Sequence, residues 1–293
     1  MLEARRFAAD SLGLRLGDSY TTYTRLERDT LALVLSAAHK DRLEARTWWF
    51  PIVGRVPYRA YFSEGDARAA EDELRGEGFD TYLRPTAAFS TLGWFSDPLL
   101  STVVGQDHVA LVETVLHEIA HTHLFVPGRV RFNESFATFV GHTAAAAFFC
   151  RRTGGGPDTV WCRRARDRWA DVQAFSRFLD RVVADLSAVY GNPGLSREEK
   201  LARREEIFED AKRRFRTELR PGLRSYRFGY FLRTPLNNAT LLARMRYYHR
   251  LPDFGELLER GDGDLAATVA FLAEAAGETE DPFDLLPGSD PGG

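Results

Sequence analysis

Cysteine is scarce, with 2 residues in 293, and so is methionine. Cys150 and Cys162 are too few for a disulfide scaffold and lack the spacing of a four-ligand structural zinc site. They could close one bridge across the loop 153–157 or stand as two free thiols, and both states fit the sequence. No stretch approaches the roughly 18 uncharged apolar residues that span a bilayer. Neither sign of charge is in excess: 39 basic against 42 acidic residues leave a net −3, which offers no field to draw in nucleic acid or anionic lipid. What is present, 44% hydrophobic and 28% charged residues with a mean hydropathy of −0.31, makes an ordinary globular chain able to bury a sizeable core.

The first third alternates element types. Residues 4–12 carry apolar side chains at helical spacing and stop at Gly13. Residues 20–26, 30–37 and 47–62 are β-branched and aromatic, the last broken by Pro51, Gly54 and Pro57, and read as strands. Ser63 with Asp66 opens a helix over 67–74, and 81–94 reads as extended. From Asp107 onward helices dominate. Residues 163–190 and 196–219 flank the turn Asn192-Pro193-Gly194, the second opening on a Ser196/Glu199 capping box, which predicts a long helical hairpin. The expected fold class is α+β. A mixed α/β part over 1–106 and a mainly helical part over 107–276 form one compact unit, and 277–293 is a disordered Pro- and Gly-containing tail. The charged N-terminus, Met1-Leu2-Glu3-Ala4-Arg5-Arg6, has no apolar run or cleavage site behind it and read literally is cytoplasmic.

One pentapeptide carries chemistry: His117-Glu118-Ile119-Ala120-His121, within an apolar run that Asp107 is placed to cap. On a helix, positions i and i+4 share a face, so both imidazoles can reach one metal ion with Glu118 beside them. With 7 histidines and 42 acids, chance alone gives this pattern in about one chain in forty. Its context adds weight, because burying two histidines and a glutamate in an apolar helix is costly unless metal or polar partners compensate.

A catalytic zinc needs a third protein ligand and an open position. Pro127 stands where a metzincin has its third histidine. His123 projects to the opposite side of the helix, and His142 lies about 12 Å along its helix from Glu134. Glu134 is preferred, because a short turn over 126–129 brings the start of a second apolar helix, 133–149, back against the first. Thr138, one turn after Glu134, could orient a histidine or simply pack.

His117-Glu118-x-x-His121 together with Asn133-Glu134-x-Phe136-Ala137 resembles the gluzincin metallopeptidases, whose aminopeptidases carry a similar Asn-Glu-x-Phe-Ala segment; the spacer is shorter here. Further segments resemble the bacterial family of predicted aminopeptidases, often made as lipoproteins. They are Trp49-Phe50-Pro51 to Tyr58-Arg59-Ala60-Tyr61-Phe62, Ser90-Thr91-Leu92-Gly93-Trp94-Phe95-Ser96-Asp97-Pro98-Leu99-Leu100, and Leu236-Asn237-Asn238-Ala239 with Tyr247-Tyr248 downstream. The likeness runs from about residue 4 to 260. Cysteines tend to occupy the family's places of Trp49 and Arg55, and its lipidated leader is not seen in this chain.

The resemblance implies Zn2+ as cofactor, held by His117, His121 and Glu134, with Glu118 as general base and later general acid. It implies an oxyanion donor from the C-terminal helices, for which Tyr247 and Tyr248 are the candidates, ahead of Tyr230 and His249. An extended strand before the motif helix, here 87–95, would pair with the substrate backbone, and Gly93 would permit close approach. Asp97 or Glu113 could anchor a substrate α-amine, and Asn237 and Asn238 fall on the substrate side. The expected function is zinc-dependent aminopeptidase, hydrolysing N-terminal peptide bonds through a metal-activated water. A zinc endopeptidase and a catalytically silent, peptide-binding relative are the alternatives, and the presence of Glu118 counts against the last. The partner is a peptide substrate. The place of work implied is the cell envelope or periplasm, with cytoplasm as the alternative.

Overall fold

A computed structural model describes residues 2–17, 23–24, 32–51, 54–86, 99–100 and 107–288. Helix α1 (Leu2–Leu12) buries Ala4, Ala8 and Leu12, a stripe at i, i+4 and i+8, and ends at Gly13, whose φ of +66° an L side chain disfavours. Strands β1 (Tyr23–Thr24), β2 (Ala32–Ala38), β3 (Trp48–Phe50), β4 (Gly54–Val56) and β5 (Arg59–Tyr61) follow. Helix α2 (Glu64–Gly76) then leads to β6 (Asp80–Thr86) and β7 (Leu99–Leu100). The stretch 47–62, expected to be extended and broken, holds three short strands; Pro51 and Pro57 lie between them, whereas Gly54 is paired with Phe50 at the start of β4.

Among the described residues three small sheets result. β2 is the centre of an antiparallel sheet of order β5-β2-β6, with Val34 opposite Ala60 on one side and Arg84 on the other. β3 pairs with β4, and β1 pairs parallel with β7. Ser63 caps α2 by accepting from the Asp66 amide at 3.3 Å, and α2 lays Leu74 against Leu35 and Ala37 of β2.

The helical part contains α3 (His108–His123), α4 (Val130–Arg151), α5 (Val160–Tyr190), α6 (Arg197–Arg214), α7 (Tyr230–Arg233), α8 (Asn238–Met245), α9 (Leu251–Arg260) and α10 (Leu265–Ala275). α5 and α6 form the expected hairpin, opened by the Ser196/Glu199 capping box. α4 is buried around most of its circumference, so it is the axis of the core rather than a surface helix. Phenylalanines fill the space around it and α5: Phe139 stacks on Phe254 at 5.3 Å, and Phe175 on Phe228 at 4.0 Å.

α8 packs on the β2–β6 face and joins the two parts of the chain. Asn238, fully buried, donates to the carbonyls of His39, Lys40 and Arg42, and its amide donates to Asp80. A buried ion pair from Arg204 to Asp80 at 2.8 Å reinforces that seam. Cys150 and Cys162 are bonded to each other, tying the end of α4 to the start of α5. The tail expected to be disordered is seated as far as residue 288: a 3-10 turn over Pro282–Leu285 buries Phe283 against Phe132, with ring centroids 5.4 Å apart, and Leu286 is also buried. Among the described residues no helix is long and apolar enough to cross a membrane.

Candidate active site

Asp107 starts the motif helix, its carboxylate accepting from the amides of Val109 and Ala110 at 3.1 and 3.2 Å. After α3 the chain turns back, and Asn133 clamps the turn. Its Nδ2 donates to the Val126 carbonyl at 2.8 Å and its Oδ1 accepts from the Val126 amide at 2.9 Å. Glu134, the next residue, is thereby held on the inner face of the α3–α4 pair. α4 begins at Val130, three residues before the expected start. Gly141 lets the helices touch: a Cβ there would lie 2.8 Å from the Glu113 carbonyl and 3.1 Å from His117 Cβ.

His117 Nε2 lies 3.2 Å from His121 Nε2. Glu134 Oε2 lies 3.3 Å from the first and 3.5 Å from the second. Hydrogen bonds between such groups centre near 2.9 Å, whereas ligands about 2.0–2.1 Å from one tetrahedral zinc stand about 3.3–3.4 Å apart. The donor set and its spacing therefore fit an ion of zinc's size better than a hydrogen-bonded trio. Burial raises the Glu134 carboxyl, but the facing imidazoles of His121 and His117 outweigh it and hold the group well below the usual carboxylate range. The Glu134 carboxylate is thus anionic throughout the neutral range.

A cavity of about 580 Å3 opens over His117 and Glu118, lined also by Glu113, Thr138, Tyr247 and Tyr248. Glu118 Oε2 is buried without a hydrogen-bond partner among the described residues, a carboxylate oxygen available to something the cavity admits. The Tyr247 ring centroid is 6.3 Å from that of His117. Burial, with the charge of Glu134 nearby, raises the Tyr247 phenol, which stays protonated and able to donate. Tyr248 is wedged on Phe175, its hydroxyl 3.5 Å from that of Tyr230, and its phenol is raised by burial and by Tyr230 and Tyr226.

Two neighbours went unread in the sequence. Arg84, on β6, donates to the Tyr247 hydroxyl across 3.5 Å. Tyr58 has its phenol raised by burial and then by Glu134 and Tyr247, so it shares their surroundings. Tyr58 lay in a family-like segment without an assigned role, and Arg84 carried no signal, since only the tertiary fold brings β6 to α8.

The remaining described candidates are either engaged by other partners or placed elsewhere. Glu113 is saturated: Arg168 Nε lies 2.8 Å from both its oxygens, Arg168 Nη2 is at 2.6 Å, and His142 Nδ1 is at 2.8 Å. It is not free for an α-amine, and His142 is engaged there rather than at the metal group. His123 accepts from the Arg15 amide at 3.2 Å, on the far side of α3. His249 lines a different cavity, 4.8 Å from the Phe283 ring. The structure does not bring Asn237 and Asn238 to the metal group. Asn237 caps α8 by accepting from the Thr240 amide at 2.8 Å and donates to the Thr81 carbonyl, and Asn238 is satisfied within the seam already described. Gly93, Asp97 and the expected substrate strand 87–95 lie outside the described residues.

No curated protein and no solved structure matches the chain. Its residues 1–281, which include His117, Glu118, His121, Glu134, Tyr247 and the seam that carries α8, match the family described as "putative aminopeptidase", and by that match the chain belongs to this family.

Proposed function

We propose that the protein is a zinc-dependent aminopeptidase of the gluzincin type, acting on the N-terminal peptide bonds of peptides. One observation carries the zinc assignment: two imidazole nitrogens and a carboxylate oxygen converge at 3.2, 3.3 and 3.5 Å, with His117 also lining the adjoining cavity. Family membership supports the exopeptidase reading over an endopeptidase. His117, His121 and Glu134 would hold the zinc, which would supply Lewis acidity toward the scissile carbonyl and a water.

The chain's own residues supply the remaining chemistry. Glu118, its Oε2 without a partner, takes a proton from the attacking water and returns it to the leaving amine. Tyr247, kept neutral by burial and by Glu134, donates to the carbonyl oxygen as negative charge develops there. Arg84 positions that hydroxyl. Tyr248 backs the cavity wall. The cell envelope is the proposed place of work, and the Cys150–Cys162 bond supports it, because such bonds persist in oxidising compartments.

Metal analysis of untreated protein tests the assignment: about one zinc per chain is expected, released by a chelator together with activity on aminoacyl-amides, and absent from His117→Ala. Amino-blocked peptides should not be cleaved; efficient cleavage of them would move the reading to an endopeptidase.

A further inference from the structure

A second cavity, of about 420 Å3, lies between β4, the start of α4 and the end of α8. Its lining carries five guanidinium groups, from Arg55, Arg129, Arg131, Arg246 and Arg250, against the single carboxylate of Asp281. That concentration runs opposite to the net charge of −3 for the whole chain. Asp281 is committed to capping the 3-10 turn through the Phe283 amide. Arg250 is held by Asp253 and by the Phe283 and Pro287 carbonyls, and Arg129 donates to the Glu280 carbonyl, so these two belong to the seat of the tail.

The other three are differently placed. Arg246 is 5% exposed, yet it bonds only neutral acceptors, Ser36 Oγ at 3.3 Å and the Pro57 carbonyl at 3.4 Å, and stacks 4.7 Å from the Tyr58 ring centre. Among the described residues no carboxylate pairs with it. A buried guanidinium without a counter-ion is costly, and a bound anion removes that cost. Arg55 and Arg131 are exposed at the mouth and form no ion pair among the described residues.

The cavity adjoins the metal group on two elements. Arg246 lines it, while the next residue, Tyr247, lines the cavity over His117. On α4, Arg131 precedes Glu134 by three residues, less than one helical turn. We propose that this cavity is an anion subsite, in which Arg246, Arg131 and Arg55 bind a carboxylate of the peptide whose scissile bond lies at the metal group. Planar guanidinium forks match a carboxylate in geometry and charge. The inference deepens the peptidase reading and rests on it for the nature of the ligand. The carboxylate can be the C-terminus of a short peptide or an acidic side chain.

The test pairs turnover with binding. In turnover by the zinc-loaded chain, Ala-Ala is compared with Ala-Ala-amide, and Ala-Glu-amide with Ala-Gln-amide. The carboxylate-bearing member of at least one pair should have a KM lower by about tenfold. The pair that responds identifies the source, terminal or side-chain. Arg131→Gln and Arg55→Gln, both exposed, should each shrink the preference about threefold through KM with kcat retained. Arg68→Gln, which removes the same charge from exposed α2, should leave it intact. Equal KM values within both pairs, or a preference unchanged by both cavity variants, would overturn the proposal.

Binding of glutarate is measured by calorimetry on chelated protein, so that zinc cannot be the receptor. It should be seen, and should weaken in Arg131→Gln. Hydrolysis without glutarate binding overturns the subsite alone. Glutarate binding that depends on Arg131, in a protein that hydrolyses no peptide, leaves the subsite standing and removes the peptidase reading. Inorganic phosphate displacing glutarate at lower concentration than glutarate itself overturns the assignment to a substrate carboxylate.

Discussion

Glu118 and Glu134 are both carboxylates near two histidines, and their surroundings separate them. Glu134 Oε2 faces both imidazoles, while Glu118 Oε2 has no hydrogen-bond donor among the described residues. Glu118→Gln is expected to keep zinc and lower kcat by about 10²–10⁴, whereas Glu134→Ala leaves two ligands and should lose the metal on dialysis. Metal content and single-substrate kinetics on both variants check this; full zinc in Glu134→Ala would reject the ligand set. Tyr247→Phe should keep zinc and reduce kcat by about 10²–10³ with little change in KM, as for loss of one oxyanion donor. Glu113 makes a different prediction. Burial raises its carboxyl, but His142 and Arg168 outweigh this and hold it below 4.5. A depressed folded value means that its stabilisation is present above about pH 4.5 and is lost as pH falls through the lower folded value. The Tm gap between wild type and Glu113→Gln should therefore be wide at pH 7 and narrow as the pH is taken below the ordinary glutamate range; a gap constant with pH would show that the Glu113 charge does not contribute. At this scale the convergence of the two histidines, with Glu118 beside them in the chain, was legible because an i, i+4 pair is a local property. Asn237 and Asn238 were not, because an asparagine suited to a substrate is equally suited to a helix cap or a carbonyl seam, and only the fold decides.

At the scale of elements, the site is a product of how closely α3 and α4 approach. The sequence shows both helices and the short turn, and from these the return of Glu134 to His117 follows. It does not show why the helices touch. Gly141 reads as a weakness in an apolar helix, and its role emerges only with α3 lying across it, His117 Cβ being 3.1 Å from where a side chain would begin. Gly141→Ala must shift backbone rather than a flexible side-chain end, so it should cost about 1–3 kcal/mol and also weaken zinc binding, since His117 and Glu134 lie on opposite helices of the strained pair. Urea midpoints with a chelator competition check both effects. A variant destabilised at unchanged zinc affinity would show that the metal group tolerates a wider helix spacing. Asn133→Ala is a contrasting case. It leaves the Val126 amide without its partner, about 1–3 kcal/mol, while the Val126 carbonyl still accepts from the Arg129 amide at 3.2 Å, and it loosens the turn rather than the helix contact.

At the scale of the whole molecule, the α+β division was readable from the change of periodicity near Asp107. The seating of the tail was not, because the composition of 277–293 gives no hint that Phe283 has a buried site against Phe132. The cysteine pair is the remaining feature that the sequence left open and the fold resolves. Cys150 ends α4 and Cys162, fully buried, lies in the first turn of α5, so their bond staples the two longest helices beside the loop between them. A separation of 12 residues corresponds to about 3 kcal/mol on the loop-entropy scale. The double variant Cys150→Ser, Cys162→Ser should lose stability of that order, yet keep zinc, because Glu134 sits more than four turns from the bridge along α4. The bond also ties stability to the redox state of the compartment. Protein recovered from the cell envelope should show no titratable thiol until it is denatured and reduced, and its urea midpoint should fall on reduction toward that of the double variant. Two free thiols in native protein taken from its own cells, with no change in midpoint on adding reductant, would remove the support for an oxidising compartment and move the proposed place of work to the cytoplasm.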